Sequence, residues 1–184
     1  MNFDILQSYA MSNTDIFKII GKSTVIKYPD LANKKSIFEC FDSRNRCVIF
    51  FETVSNGVGH WECMFYKPST KTIHFFDSYG IKQDGAEKFI NQNTAVNLKE
   101  NKPYLTKLIN DAVSKGYKYE YNIHDYQQWK GNVETCGKHV SNRLLNMNMD
   151  NDEYYKYMLS MKQKLGVDNF DQVVEEIIFK ILGK

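Results

Sequence analysis

The sequence has no apolar run of the length needed to cross a membrane. Its opening residues, Met1-Asn2-Phe3-Asp4, lack the basic-then-apolar pattern of a secretory leader. Neither a membrane partner nor secretion is therefore expected. Charge of one sign is also missing. The 24 Lys and Arg residues against 22 Asp and Glu leave a net charge of +2, so charge alone does not call for a nucleic-acid partner. Cysteines are few, four in all, and scattered at 40, 47, 63 and 136. Without an export signal they are expected as reduced thiols in an intracellular setting, not as a disulfide framework. There is no internal repeat and no low-complexity segment. What remains is an ordinary globular composition, enriched in Tyr, Phe, Lys and Asn. Its 184 residues are about one domain's worth and enough to bury a core.

Taken in order, the pattern predicts an α+β fold. Residues 1–11 are mildly apolar. Ser12-Asn13-Thr14-Asp15 then has the form of a capping box, followed by Ile16, Ile19 and Ile20 and closed by Gly21. Residues 22–36, with Pro29, read as loop. Residues 37–41 and 47–52 are strand-like, separated by the turn cluster Asp42-Ser43-Arg44-Asn45, which would set Cys40 and Cys47 across a hairpin. Two further strands, 60–66 and 72–77, complete an antiparallel meander. Helices are expected over 84–95 and from about 102, with Pro103 in the first turn, to Gly116. Residues 117–122 alternate aromatic and polar side chains, as a half-buried strand does. Two helices finish the chain: 152–165, and an amphipath capped by Asp168 and read as support for the fold.

One stretch organises the rest. In Glu134-Thr135-Cys136-Gly137-Lys138-His139-Val140 a cysteine opens a helix whose apolar face is Val140, Leu144 and Met147, with Leu145 beside it. Helix N-termini carry unpaired N–H groups and the positive end of the dipole, a setting that favours thiolates and can stabilise an oxyanion. A free cysteine is more often a small core residue, but three upstream features argue for chemistry at Cys136. His60 follows the glycine-rich loop Ser55-Asn56-Gly57-Val58-Gly59 at a strand start, where an imidazole can act as base. Asp77 ends the neighbouring strand and can fix that imidazole's tautomer and direction. Gln127 or Gln128, in the loop before Cys136, can supply a side-chain amide to the oxyanion. His60 and Cys63 have a ligand-like interval, but residues three apart on a strand point to opposite faces, so no metal site is expected from that pair.

Three runs, Gly59-His60-Trp61, Phe75-Phe76-Asp77-Ser78-Tyr79-Gly80 and the run from Gln128 to Gly137, resemble the adenovirus-type maturation cysteine proteases (adenain) and the related SUMO-specific, Ulp1-like proteases. Asn132, four residues before Cys136, matches an asparagine that such relatives often carry. The likeness covers roughly residues 12–147. It implies an antiparallel or mixed β-sheet core flanked by helices, in a single protease domain: an N-terminal helix and arm (1–35), the β-meander with His60 and Asp77 (36–80), helices, a strand and the Cys136 helix (81–151), and C-terminal helices (152–184). It implies Cys136 as nucleophile, His60 as base, Asp77 as orienter and a glutamine as oxyanion donor, with cleavage after small, Gly-rich motifs. Trp61 and Trp129 are expected to line the substrate channel. The interval from Gln128 to Cys136 is longer than is usual in these relatives, which leaves both glutamines open; Gln128 requires the smaller insertion.

The compact chain favours a viral maturation protease acting on capsid or other virion precursor proteins. Its Lys-, Asn- and Ile-rich composition fits AT-rich genomes such as those of virophages and giant DNA viruses. The expected location is the host cytoplasm or viral factory, with packaging in the virion. The sequence requires no cofactor, and neither a need for a peptide or DNA activator, as in adenovirus relatives, nor its absence follows from it. The alternatives are a deconjugase of ubiquitin-like proteins, acyl transfer to another acceptor, and a non-catalytic virion binding module.

Overall fold

Ser12 opens a helix as the sequence predicts. Its hydroxyl accepts from the Asp15 N–H and the Asp15 carboxylate accepts from the Ser12 N–H, a complete capping box at the start of α1 (Asn13–Ile20). Gly21 ends the helix at a φ of 75°, and Ile16, Ile19 and Ile20 are buried. The computed structural model describes residues 7–54 and 57–183. The first six residues of the mildly apolar N-terminal stretch, and Ser55 and Asn56 of the glycine-rich loop, lie outside the described residues. The chain divides into two compact units, one of Ser23–Asp77 and Ile81–Asn122, the other of Met1–Lys22, Ser78–Gly80 and Ile123–Lys184. No described helix is long and apolar enough to cross a membrane.

The first unit holds a five-stranded mixed sheet in the order β1 (Thr24–Lys27), β2 (Arg46–Val54), β3 (Val58–Lys67), β4 (Thr72–Phe76), β5 (Lys118–Tyr121). The expected meander is its centre: β2, β3 and β4 pair antiparallel, while β1 and β5 add to its edges in parallel. Strand alternation sends Cys47, Ile49 and Phe51 of β2, Met64 of β3, and Ile73 and Phe75 of β4 into one cluster. That cluster is closed by Tyr28, Leu31, Ile37 and the helices α2 (Gln92–Leu98) and α3 (Tyr104–Ser114), through Ala95, Leu105, Leu108 and Ile109. Truncating one of these buried phenylalanines to alanine would cost about 3–5 kcal/mol. The edge strand β5 keeps Lys118 and Glu120 exposed, a composition that discourages pairing with another chain.

The sequence reading needs four corrections in this unit. Residues 22–36 are not mostly loop: Thr24–Lys27 is a strand and Tyr28–Asn33 a 3₁₀ helix. Four residues are too few to show a period. Residues 37–41 are not a strand but a 3₁₀ turn, Ile37–Cys40, opened by the Ser36 hydroxyl accepting from the Phe38 N–H. The three-residue spacing of buried Ile37 and Cys40 fits that turn, and Cys40 and Cys47 are buried free thiols with no hairpin between them. The helix expected over 84–95 is broken into a 3₁₀ turn, Gly85–Phe89, and α2, which is capped by the Asn91 side chain. Asp84 adopts a left-handed conformation and turns its carboxylate to the Leu105 and Thr106 N–H groups at the start of α3.

Glu100 joins α2 to the distal end of β2, where Oε1 accepts from the Glu52 N–H at 3.0 Å. It is 1% exposed, and burial raises its carboxyl pKa to about 7. A carboxyl whose folded pKa is raised binds its proton more tightly in the folded state. The stability this confers is full below about pH 4.5 and is lost as pH rises through 7. Glu100→Gln keeps the acceptor oxygen and cannot ionise. It should raise stability at pH 8 by about 2 kcal/mol, with the gain vanishing near pH 4.5, as read from urea unfolding at both pH values.

The second unit is helical: α1, α4 (Cys136–Leu145), α5 (Asn151–Leu165) and α6 (Phe170–Leu182). Asp150 caps α5 with a second capping box. Asn169, not Asp168, caps α6, its side chain accepting from the Gln172 N–H. The helix read as amphipathic, α4, is instead buried around its whole circumference from Cys136 to Leu144. It carries Lys138, His139, Ser141, Asn142 and Arg143 inside, each of which has a partner.

Candidate active site

The sheet unit places His60 and Asp77 together. A Cβ at Gly59 would lie 2.2 Å from the Phe51 carbonyl oxygen, so only glycine lets β3 close on β2 immediately before His60. His60 Nε2 and Asp77 Oδ2 are 2.7 Å apart, with His60 5% and Asp77 0% exposed. The order predicted from sequence, imidazole at a strand start and carboxylate at the next strand's end, thus yields a buried hydrogen-bonded pair. Asn122, just past β5, fixes the Asp77 backbone from both sides. The Asp77 N–H donates to Asn122 Oδ1 at 2.9 Å, and Asn122 Nδ2 donates to the Asp77 carbonyl at 2.7 Å. Sequence reasoning missed Asn122, whose only signal was its position at the end of a polar–aromatic alternation.

It missed Glu62 as well. Residues two apart on a strand share a face. Glu62 therefore lies beside His60, whereas Cys63, on the other face of an unbroken β3, does not. Continuing the register of Cys63 with Phe76 sets Glu62 opposite Asp77. Glu62 is 1% exposed, and neither carboxylate oxygen accepts a hydrogen bond among the described residues. Burial first, and the negative charge of Asp77 second, hold its carboxyl well above the ordinary range. Trp61, on the opposite face from His60, is 8% exposed and packs on Phe50 with ring centroids 4.6 Å apart.

The helical unit places Cys136 as the first residue of α4, 6% exposed. Thr135 precedes it as N-cap but makes no side-chain cap; its backbone carbonyl takes the Lys138 N–H at 2.9 Å, and its hydroxyl does not cap the N–H groups of Cys136 and Gly137. That hydroxyl donates to Asp171 Oδ1 of α6. His139, one turn along α4, reaches the same carboxylate through Nε2 at 3.0 Å, and the Gln128 N–H donates to its other oxygen at 3.0 Å. Burial pushes the Asp171 carboxyl up, but the hydrogen bonds and charge of His139, with those from Thr135 and Gln128, outweigh it and leave the pKa below the usual carboxylate value. Beside it, Lys138 pairs with Glu175 at 2.8 Å, both buried. The last helix, read from sequence as support without chemistry, thus holds the start of the cysteine helix and the glutamine loop at one point.

The two glutamines are now distinguished. Gln127 is 3% exposed and its amide is engaged at both ends: Oε1 accepts from the Ser78 hydroxyl at 2.8 Å, and Nε2 donates to the Val133 carbonyl at 2.8 Å. The Gln128 side chain is half-buried and has no hydrogen-bond partner among the described residues, while its backbone N–H donates to Asp171 and its carbonyl accepts from the Lys130 N–H at 2.9 Å. Trp129 is 53% exposed, its ring 4.3 Å from that of Tyr79.

No protein-family model matches the chain. Among solved structures it is similar to the SUMO protease Ulp1 with its catalytic cysteine oxidised to a sulfenic acid, at 15% identity and a TM-score of 0.42, covering 96% of this chain and 78% of that one. It is also similar to the C-terminal Ulp1 protease domain in complex with Smt3, the yeast ortholog of SUMO, at 13% identity and a TM-score of 0.35, covering 96% and 80%. By sequence it is 31% identical over 156 residues, 84% of this chain and 86% of the relative, to the uncharacterized protein V9 of Sputnik virophage. At that identity and coverage, the chain belongs to the family of virophage protein V9.

Proposed function

We propose that this protein is a cysteine endopeptidase that cuts after small, Gly-rich motifs in virion precursor proteins. The observation that carries the reading is the buried hydrogen bond of 2.7 Å between His60 Nε2 and Asp77 Oδ2. It forms between the two residues that the adenain-like and Ulp1-like motifs single out. Cys136 at an uncapped helix N-terminus supplies the nucleophile in the same pattern.

The chemistry follows from the residue types. The Cys136 thiolate attacks the peptide carbonyl, with His60 protonated. The oxyanion is met by the Cys136 N–H and the Gln128 amide. His60, held by Asp77 through Nε2, gives its proton from Nδ1 to the leaving amine. The same imidazole then takes a proton from the water that cleaves the thioester, and the thiol is regenerated.

The testing experiment is digestion of a diverse peptide library, with cut sites read by mass spectrometry and Cys136→Ala as control, alongside alkylation rates of the four cysteines. Cuts after small residues that vanish in the variant support the reading. So does faster alkylation of Cys136 than of Cys40, Cys47 and Cys63 that fades in His60→Ala. Cleavage of ubiquitin-like precursor tails with no cuts in the library would assign the deconjugase activity instead. No cuts with equally slow alkylation of all four thiols would overturn the enzyme reading in favour of a binding module.

Within that assay Gln128→Ala should lower kcat by about 10²–10³-fold, the cost of an oxyanion donor, with the melting temperature preserved. Gln127→Ala should do the reverse. It strips partners from Ser78 and Val133 and lowers stability by about 1–3 kcal/mol, and its kinetic effect follows the loss of folded protein.

A further inference from the structure

The strand period puts His60, Glu62 and Asp77 on one face of the sheet, and one ligand atom from each lies within 4.8 Å of the others, all three side chains buried. We propose that these three residues form a binding site for one divalent transition-metal ion of the zinc class. The observation that points to a ligand is Glu62. It is 1% exposed and aimed into the cluster, and both oxygens lack a hydrogen-bond donor among the described residues. A buried carboxylate without a partner costs several kcal/mol, and the group opposite it is another carboxylate. With both carboxylates ionised and the imidazole neutral, the three ligands would carry a charge of −2, which one divalent cation balances.

The donor set selects the ion. Calcium and magnesium take oxygen ligands. An imidazole with two carboxylates suits zinc and its neighbours, and three protein ligands leave a fourth position for water. The geometry needs little adjustment. Ligands at about 2.0–2.1 Å from a tetrahedral zinc stand roughly 3.3 Å apart, so His60 Nε2 and Asp77 Oδ2, now at 2.7 Å, would part by a small side-chain rotation. On binding, the proton shared between them and the proton of the Glu62 carboxyl both leave to solvent, and His60 keeps its hydrogen on Nδ1. Metal binding does not depend on the protease reading. Its consequence does: an ion holding His60 occupies the imidazole that the thiol chemistry uses, so zinc would act as a reversible inhibitor.

The test uses the full chain, freed of metal by chelation and returned to chelator-free buffer. Zinc is titrated against a chromogenic chelator, and cobalt(II) is added separately for its absorption spectrum. The expected result is one zinc per chain and a cobalt spectrum with visible four-coordinate bands but no thiolate-to-metal charge transfer. Glu62→Gln, with an unchanged circular dichroism spectrum, should weaken zinc binding by more than about 100-fold, beyond the loss of an outer-shell partner. Asp77→Asn is the second variant should Glu62→Gln fail to fold, and the same loss is expected. No stoichiometric zinc binding by the folded wild type, a thiolate charge-transfer band, or equal affinity in the variant would each overturn the site. Failure of the peptide-cleavage assay would not, since none of these readouts involves turnover.

Discussion

His60→Ala should lower kcat/KM for the best library peptide by about 10⁴–10⁶-fold, and Cys136→Ala by at least as much, with the double variant no worse than Cys136→Ala alone. Residues that act in one step fail together, so the near absence of additivity is the sharper readout. Asp77 divides the expectation further. It does not react; it holds His60 by one buried hydrogen bond, and Asn122 holds its backbone at both the N–H and the carbonyl. Asp77→Ala should therefore lose less than His60→Ala, about 10³–10⁴-fold. Asp77→Asn preserves shape but presents an amide, whose N–H end can stabilise the wrong imidazole tautomer, and its loss should be of similar size. Steady-state rates with matched circular dichroism spectra measure all five variants. An unchanged rate in Asp77→Ala would remove the orienting role, and an unchanged rate in His60→Ala would remove the mechanism.

The parts of the site that were legible in the sequence are those set by short local rules. A capping box, a glycine before a histidine and an aspartate ending an apolar strand need only their neighbours to be read, and α1, the β2–β4 meander and the His60–Asp77 pair formed where these rules placed them. What stayed hidden depends on contacts far apart in the chain. β1 is recognisable only once β2 is beside it. The break before α2 follows from Asp84 turning its carboxylate to the start of α3. Glu62 looked like an ordinary strand residue because periodicity gives its face but not what lies across from it. α4 looked amphipathic because polar side chains are assumed to face water. Here Lys138 and His139 instead meet Glu175 and Asp171 of α6, more than thirty residues away.

Asp171→Ala should be the most damaging single substitution in the helical unit. Asp171 is fully buried and receives the Thr135 hydroxyl, His139 Nε2 and the Gln128 N–H. Removing it leaves those donors inside the protein facing a void, which costs about 3–5 kcal/mol and should lower the melting temperature by roughly 10 °C for a chain of this size. The pH dependence has a fixed sign. A carboxyl whose folded pKa lies below its unfolded one contributes stability that is present above the unfolded value and lost as pH falls through the folded value. The difference between wild type and Asp171→Ala should thus be full at neutral pH and shrink on acidification below about pH 4, as measured by denaturant unfolding across that range. Asp171→Asn should recover part of the packing but little of the stability, because an amide offers one acceptor where three donors converge. Thr135 is the residue before Cys136, and Gln128 carries the proposed oxyanion donor. Variants that remain folded at low temperature should therefore also lose alkylation rate at Cys136, which substitution of an unrelated buried residue would leave in place.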